Sequence, residues 1–352
     1  MIDKSLSEKI LTIGTPYYLP KGGIAQVIKT YHDSVFACFK FVGNGGGKNK
    51  VHSLWILVSA LFNSFLKFSF DRKIRIVHIH TASYRSFTHT GRFVNLAKLF
   101  HKKVVLHIHG GGFDKYYQEQ PDYVKSILEK SDCVVALTEK WKSFFRDTVG
   151  LKNVEVVNNV VDQPRFQKVI KNAGVLDILF LGFIVDTKGI FDLVEMIGEH
   201  KRELEGKLLL HVGGSGELEK MNGIIQKYGI EALVKYEGWV SGEKKVELLN
   251  LCDAFILPSY VEGLPISILE AMAYETIVIA TPVGGIPDLL NNNNSFLISP
   301  GDKNVMFNVI LSIIKDRNGA NAKVLNAKSV IEDYLPDSIS RRLSCIYSNL
   351  LR

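Results

Sequence analysis

Short apolar runs rich in β-branched residues alternate with amphipathic stretches along almost the whole chain. Near-continuous apolar runs are typical of strands covered on both faces, and helical stretches between them are typical of parallel sheets. The pattern predicts ten parallel strands, at residues 9–13, 74–80, 104–109, 133–137, 154–157, 176–181, 207–212, 234–237, 254–257 and 277–280.

The ten strands divide evenly about a polar segment at residues 160–175, which contains Asp162, Pro164 and Gly174. Such residues are common in linkers, and ten strands are too many for one compact sheet. The predicted fold class is therefore α/β, with two doubly wound, Rossmann-like parallel-sheet domains facing across a cleft. We place an N-terminal domain at residues 1–165, a C-terminal domain at 166–335, and a last helix at 336–352 that packs back on the N-terminal domain.

The most apolar stretch of the sequence is residues 53–70, SLWILVSALFNSFLKFSF. Asn63, Ser64 and Lys67 interrupt it, and it is shorter than the ~20 apolar residues that a membrane span requires. The pattern predicts a mostly buried helix, with a helix that dips into a membrane surface as the alternative.

The composition is that of a globular protein, with 46% hydrophobic and 22% charged residues. The four cysteines are far apart and none lies in a CxxC motif, which argues against a zinc site and a disulfide framework. The first residues show no apolar stretch behind a basic one. We therefore expect no secretion signal and a cytoplasmic location.

Charge is distributed unevenly between the two halves. Residues 1–171 contain 26 Lys and Arg and 13 Asp and Glu, a net charge of +13, and the remainder carries −6. A basic half indicates an anionic partner. Because no alternation of aromatic and basic residues typical of a nucleic-acid module is present, we expect a membrane surface or a phosphate-bearing ligand and no nucleic acid.

In open α/β sheets, ligands bind beyond the carboxyl ends of the strands. Gly22 and Gly23, which open a helix after the first strand, could bring backbone amides close to an anion, although an ordinary turn is the alternative. His109 ends a strand before three glycines, and we take it as a candidate functional residue. The neighbouring strand repeats the pattern at His78 and His80 without the glycines, and there we expect a structural role.

Two further segments lie at predicted strand ends in the second half. Lys188 stands where a helix starts and could meet a phosphate, or it is an ordinary solvated lysine. In residues 262–273, EGLPISILEAMA, Pro265 suits a first helical turn and Glu262 lies just outside it. Glu270 falls in an apolar segment, where a carboxylate is costly unless it is hydrogen-bonded, for example by the diol of a ribose.

Taken together, these segments resemble the family 4 glycosyltransferases of the GT-B fold, over nearly the whole chain. The most specific match is E-x7-E, from Glu262 to Glu270, with GLP and EAMA around it and VGGIPD downstream. Supporting matches are PKGG, HIHGG, L-G-x5-K-G ending at Gly189, and the segments GGSG at 213–216, EGW at 237–239 and NVVD at 159–162.

The resemblance implies a retaining transfer from a UDP- or GDP-linked sugar to a glycan or lipid-linked acceptor, in surface polysaccharide synthesis. The basic N-terminal half adds the expectation that the cytoplasmic enzyme can lie peripherally at the inner face of the cell membrane. The resemblance assigns catalytic roles to His109 beside the sugar, Lys188 on the diphosphate and Glu262 on sugar hydroxyls. The implied donor-binding residues are Gly22, Gly23, Gly182, Lys188, Gly214, Trp239, Glu262, Gly263, Leu264, Pro265 and Glu270, the last on the ribose. The expected acceptor residues, on loops of the basic N-terminal domain, are Tyr17, Tyr18, Arg85, Lys115 and Tyr116.

Two departures from the family pattern stand out. Phe183 occupies the place of an arginine that often clamps the diphosphate, and Glu275 and Ile277 replace a glycine and a proline after the E-x7-E helix. The chain contains no D-x-D, so we expect no metal and no cofactor besides the nucleotide sugar. A nucleotide-sugar epimerase, or a GT-B protein that binds the nucleotide sugar without transfer, remains the alternative.

Overall fold

Each half of the chain builds its own six-stranded parallel sheet, as a computed structural model shows for residues 1–18, 22–45, 49–162, 164 and 174–352. The first unit comprises Met1–Asp162 together with Asp333–Arg352, and the second comprises Gln163–Glu332. The predicted domain boundary between residues 165 and 166 lies outside the described residues.

The first unit has helices on both sides of its sheet. Its strands follow the order β2-β1-β3-β4-β5-β6. They are β1 (Ile10–Gly14), β2 (Lys40–Gly43), β3 (Ile76–Thr81), β4 (Lys103–Ile108), β5 (Cys133–Ala136) and β6 (Val154–Val156). Its α-helices are α1 (Lys4–Ser7), α2 (Gly23–Thr30), α3 (Lys50–Phe70), α4 (Arg85–Leu99), α5 (Phe113–Glu119), α6 (Pro121–Lys130), α7 (Glu139–Ser143) and the last helix, α15 (Pro336–Leu351).

The second unit repeats the architecture with the strand order β12-β11-β10-β7-β8-β9. The strands are β7 (Leu176–Leu181), β8 (Leu208–Gly213), β9 (Val234–Gly238), β10 (Ala254–Leu257), β11 (Ile277–Ala280) and β12 (Phe296–Leu297). The helices are α8 (Ile190–Glu199), α9 (Lys201–Leu204), α10 (Leu218–Tyr228), α11 (Gly242–Leu251), α12 (Ile266–Ala273), α13 (Lys303–Lys315) and α14 (Arg317–Ile331).

All ten strands predicted from the apolar runs are present, with ends that differ by at most two residues. The structure adds β2 and β12, which both lie at a sheet edge. β2 is largely half-buried and β12 has only two residues, so neither carries the continuous apolar run that marks a central strand.

The expectation that residues 53–70 form a mostly buried helix is wrong. α3 has the predicted helical form, but only Leu57, Ala60, Ser64 and Phe68 are buried, and most of its other large apolar side chains face outward. By length and composition, α3 is the one helix of the described part of the chain that could cross a membrane, which by itself is weak evidence that it does.

The strand orders locate the crevice of each sheet. In the first unit the order reverses between β1 and β3, and in the second it reverses between β7 and β10. Loops that leave the carboxyl ends of such strand pairs diverge to opposite faces, which opens a ligand crevice between them. The segments after β7 and β10 contain Lys188 and Glu262.

Candidate active site

Backbone contacts hold together the two loops, after β7 and after β10, that form the crevice of the second unit. Gly189 follows a short 3-10 turn, Asp186–Lys188, and has a φ of 65°. A Cβ on Gly189 would lie 2.1 Å from the carbonyl oxygen of Pro258, so only glycine permits this approach. The amide of Tyr260 adds a hydrogen bond of 2.9 Å to the carbonyl of Thr187. These contacts fix Lys188 against the loop that carries Glu262.

Lys188 and Glu262 form an ion pair at this crevice. The Lys188 Nζ donates to Glu262 Oε1 at 2.5 Å, and the Ser259 hydroxyl donates to the same oxygen at 2.8 Å. Glu262 is buried, and 22% of the Lys188 side chain is exposed. The pair brings together two residues predicted from separate motifs and leaves the lysine accessible to an anionic ligand.

The loop after β11 holds the Glu262 segment from the other side. Gly284 has a φ of 60°, and a Cβ there would lie 1.8 Å from the Glu262 carbonyl oxygen. The Gly285 amide donates to the Gly263 carbonyl at 2.7 Å, and the Thr281 hydroxyl donates to the Ser259 carbonyl at 2.5 Å. The VGGIPD motif therefore fixes the backbone that precedes α12.

Glu270 lies in the middle of α12, where it is buried, as predicted. Its carboxylate is not left without a donor, because the Lys245 Nζ on α11 donates to Oε1 at 2.5 Å. Lys245 was not predicted, since nothing in the sequence of α11 distinguishes it from the neighbouring Lys244. The site thus contains two buried carboxylates, each neutralised by a lysine from another element.

A charge network around the shielded carboxylate of Glu237 anchors the beginning of α11. His211 bonds to Glu237 at 2.9 Å, and Lys235 and Lys244 contact the same carboxylate at 2.9 and 3.2 Å. Burial opposes ionisation here, but the hydrogen bonds from His211, Lys235 and Lys244 lower the pKa of Glu237 to about 2. Lys244 and Lys245 are neighbours on α11, so the helix that carries the lysine on Glu270 is also tied to Glu237.

An aromatic pair occupies the place where the family resemblance leads us to expect an arginine. The Phe183 and Trp239 ring centroids are 5.8 Å apart, and 44% and 36% of the two residues are exposed. Both lie just beyond the carboxyl ends of strands, where Gly182 bonds to Gly213 and Gly214 bonds to Gly238. Within the described part of the chain, Lys188 and Lys245 are the cations that contact the two carboxylates of the site.

In the first unit, His109 lies at the carboxyl end of β4, half-buried. Its Nδ1 lies 3.0 Å from Asn159 Oδ1, and its Nε2 lies 2.9 Å from His80 Nδ1. An amide oxygen only accepts, so Nδ1 carries the proton and Nε2 accepts from His80. Desolvation lowers the pKa of His109 to about 4, against the hydrogen bond to Asn159, and the ring is neutral at pH 7.

His109 ends a stack of four histidines on β3 and β4. His78 and His107 are nearly parallel, with an interplanar angle of 9°, and ring nitrogens of His78, His80 and His107 lie within 4.8 Å of one another. Imidazole lone pairs lie in the ring plane, and the planes of stacked rings do not converge on one ion. This geometry supports the structural role predicted for His78 and His80.

The remaining predicted residues of the first unit are spread over its carboxyl edge. Gly22 caps α2, while Pro20 and Lys21 of the PKGG motif lie outside the described residues. Tyr17 stacks on His32, and Tyr18 is exposed. Arg85 lines a polar cavity of about 320 Å³ with residues that include Asn44 and His89.

For Tyr116 the acceptor expectation is wrong. Tyr116 and Lys115 lie on α5 and not on a loop, and Tyr116 is only 1% exposed, among the core residues Phe87 and Phe113. Lys115 is exposed on the same helix. Helical spacing turns neighbouring residues to different faces, which the short segment after the glycines did not reveal.

Two protein-family models cover most of the chain. Residues 30–165 match the model described as Glycosyltransferase Family 4, and residues 162–330 match the model described as Glycosyl transferases group 1. The chain belongs to the family 4 glycosyltransferases of the GT-B fold. It is therefore a transferase enzyme, and the family predicted from the E-x7-E and accompanying motifs is confirmed.

Curated relatives of this glycosyltransferase are distant. It is 26% identical over 298 residues to an uncharacterised glycosyltransferase of Methanocaldococcus jannaschii, covering 78% of this chain and 73% of that protein. It is 22% identical over 244 residues to the putative colanic acid biosynthesis glycosyltransferase WcaL of Salmonella typhimurium, covering 65% of this chain and 59% of WcaL. The enzyme thus has relatives in polysaccharide biosynthesis. The matched region covers only part of the length of each relative.

Solved structures confirm the fold. Sucrose-phosphate synthase from Thermosynechococcus elongatus superimposes with a TM-score of 0.76 at 18% identity, covering 97% of this chain and 99% of that one. HepE of Anabaena, solved in complex with UDP-glucose, gives a TM-score of 0.74 at 15% identity, with 97% and 99% covered. At such identities the likeness establishes the two-sheet GT-B architecture and no more.

Proposed function

We propose that this glycosyltransferase moves a sugar, with retention of anomeric configuration, from a UDP- or GDP-linked sugar to a glycan or lipid-linked acceptor in surface polysaccharide synthesis. The observation that carries the proposal is the pair of buried carboxylates, Glu262 and Glu270, each held by a lysine at the switch point of the second sheet. Relatives named for colanic acid and amylovoran biosynthesis support a role in polysaccharide synthesis.

The donor would bind along the beginning of α12. Lys188 and the backbone amides that follow Gly263 would meet the diphosphate, because a helix N-terminus and an ammonium group both favour anions. Glu270 would accept hydrogen bonds from the ribose hydroxyls, and Glu262 would accept them from the sugar. HepE, which shares the fold, binds UDP-glucose, and this supports a nucleotide sugar as the donor.

The transfer step requires no covalent enzyme intermediate. The acceptor hydroxyl attacks the anomeric carbon on the face from which the diphosphate leaves, and the bond between that carbon and the phosphate oxygen breaks. The acceptor proton moves to the departing phosphate oxygen, so the products are a glycoside and a nucleoside diphosphate. Lys188 would stabilise the negative charge that develops on the leaving group.

A panel of nucleotide sugars tests the proposal. Thermal stabilisation and slow hydrolysis should both select one UDP- or GDP-linked sugar, and the anomeric configuration of the transferred sugar is then read by NMR. A product with inverted configuration would refute retention. Stabilisation by nicotinamide dinucleotides in place of nucleotide sugars would refute the donor class.

A further inference from the structure

The outward face of α3 carries a continuous band of large apolar side chains, which we call the apolar stripe. Its members recur every three or four residues, so they share one side of the helix over five turns. They are Val51, Leu54, Trp55, Val58, Phe62, Phe65, Leu66 and Phe70, each between 37% and 81% exposed. Contiguous apolar surface of this extent marks a binding surface on a soluble protein.

The opposite face of α3 is part of the first unit. Leu57, Ala60, Ser64 and Phe68 are buried, and the helix packs against α4 and β2. α3 is also the connection between β2 and β3, which run parallel in one sheet. If α3 spanned a bilayer, it would have to lose its packing against α4 and β2. The fold therefore favours a helix that lies along a surface, with the stripe against that surface.

The surroundings of the stripe are strongly basic. Residues 34–113 contain twelve Lys and Arg and a single acidic residue, Asp71. Lys50 opens α3 and Arg72 lies two residues beyond Phe70, so a cation stands at each end of the stripe. Within the described residues, Arg72, Arg75 and Arg92 are exposed and form no ion pair with a carboxylate.

Apolar and basic features meet in one groove between α3 and α4. It has a volume of about 570 Å³, and its lining includes Phe62, Phe65, Arg92 and Leu99. Leu99 is 72% exposed, which extends the apolar surface beyond α3. An aromatic and aliphatic band beside guanidinium groups that pair with no carboxylate of the described residues matches the boundary between acyl chains and anionic headgroups.

We propose that the apolar stripe docks this enzyme on an anionic lipid bilayer, with α3 lying in the plane of the interface. The stripe enters the acyl boundary, and Lys50, Arg72 and Arg92 contact anionic headgroups. A second copy of the chain is the less favourable occupant, since two basic surfaces would then face each other. The proposal concerns binding alone and does not depend on which sugar is transferred.

Sedimentation with vesicles tests the proposal without any assay of activity. We expect the protein to sediment with phosphatidylglycerol-containing vesicles at low salt and to remain in solution with pure phosphatidylcholine. At about 1 M salt, where the Debye length is about 3 Å, most of the bound protein should be released. Absence of sedimentation, or equal binding to both vesicle types at every salt concentration, overturns the proposal.

Variants of exposed residues separate the stripe from the general charge of the protein. Trp55→Gln combined with Phe62→Gln should lower the vesicle partition coefficient by about tenfold or more, since both aromatic rings leave the interface. Leu325→Gln changes a leucine that is 71% exposed on α14 of the second unit and should have no effect. Wild-type binding by the double variant would overturn the role of α3.

A charge series completes the test. Arg72→Glu combined with Arg92→Glu should weaken binding to anionic vesicles, whereas Lys315→Glu, on an exposed position of α13, should not. Sedimentation velocity without lipid examines the other occupant. Self-association that the Trp55 and Phe62 changes abolish, together with no vesicle binding, would assign the stripe to a second copy and refute the bilayer.

Discussion

At the scale of single residues, the candidate active site contains two buried carboxylates that are each paired with a lysine. Lys188 already neutralises Glu262, and Lys245 already neutralises Glu270. A diphosphate would draw Lys188 away from Glu262, and that carboxylate would then accept sugar hydroxyls. Two unpaired carboxylates would repel an anionic donor, so the lysines make the crevice compatible with it.

The change Glu270→Gln should weaken nucleoside diphosphate binding, because the charged acceptor of the ribose hydroxyls is lost. Hydrogen bonds to a charged group contribute on the order of 1.5–3 kcal/mol, which corresponds to a loss of affinity of about ten- to a hundredfold. Isothermal titration calorimetry measures this. Glu275→Gln removes a carboxylate just beyond α12, paired with Lys328, and serves as the control. Equal affinity of both variants and wild type would refute the ribose role.

His109→Ala should lower kcat far more than it lowers nucleoside diphosphate affinity, because the proposed contact is with the transferred sugar and not with the nucleotide. His109→Gln retains a donor and an acceptor and should recover part of the turnover. Both ring nitrogens of His109 have partners in the structure, Asn159 and His80, so a contact with the sugar requires one of these two hydrogen bonds to break. If binding and turnover fall in equal proportion, His109 is only a structural member of the histidine stack.

Individual residues could be predicted from the sequence only where strand ends and glycines marked them. Lys188, Glu262 and Glu270 followed apolar runs, and the structure gathers them in one unit. Lys245 could not be predicted, because it reaches Glu270 across a tertiary contact with no local signal. The NVVD segment marked Asn159, but not its contact with His109, which lies 50 residues earlier in the chain. Tyr116 was misplaced because the segment after the glycines is a helix.

At the scale of elements, the histidine stack on β3 and β4 links folding to pH. Burial lowers the pKa of His78 to about 3 and that of His109 to about 4, and it lowers the pKa of His80 and His107 well below 6.5. In the unfolded chain all four bind protons near pH 6.5. The native state therefore loses stability as pH falls from about 7 toward 4, by up to about 1.4 kcal/mol per pH unit for each histidine.

Urea unfolding at pH 8, 7, 6 and 5 measures this dependence. The free energy of unfolding should be greatest above pH 7 and should fall with increasing slope below it. His107→Asn removes one buried histidine and should make the slope shallower. His101→Asn changes an exposed histidine with a φ of 52°, which asparagine tolerates, and should leave the slope unchanged. A free energy that is constant or rises between pH 7 and pH 5 would contradict the prediction.

Elements differed in how well the sequence predicted them. Central strands were found because burial on both faces demands a continuous apolar run, whereas the edge strands β2 and β12 escape that demand. The outward face of α3 was misjudged for a related reason. A helix that is apolar on all sides is predicted to be buried in the protein, because water is unfavourable around apolar side chains. The same pattern fits a helix with one face against the protein and the other against a different apolar partner, and the sequence alone does not distinguish the two.

At the scale of the whole molecule, the enzyme should not require a divalent cation. The chain has no D-x-D, and the carboxylates Glu262 and Glu270 are each bound to a lysine. Once the donor is known, transfer measured in excess EDTA should match the untreated rate. Loss of activity on chelation, with recovery on addition of magnesium or manganese, would show that a metal supports the leaving diphosphate.

The assignment of α15 to the first unit has a consequence for biosynthesis. Tyr347 on α15 is fully buried, and its hydroxyl lies 2.6 Å from His78 Nδ1 on β3. The core of the first unit, whose first strand begins at Ile10, is therefore completed by a helix more than three hundred residues later in the chain. A ribosome must therefore complete the whole second unit before the first can close. Until then the nascent first unit exposes the face that α15 will cover, and that interval is when we expect chaperones to bind it.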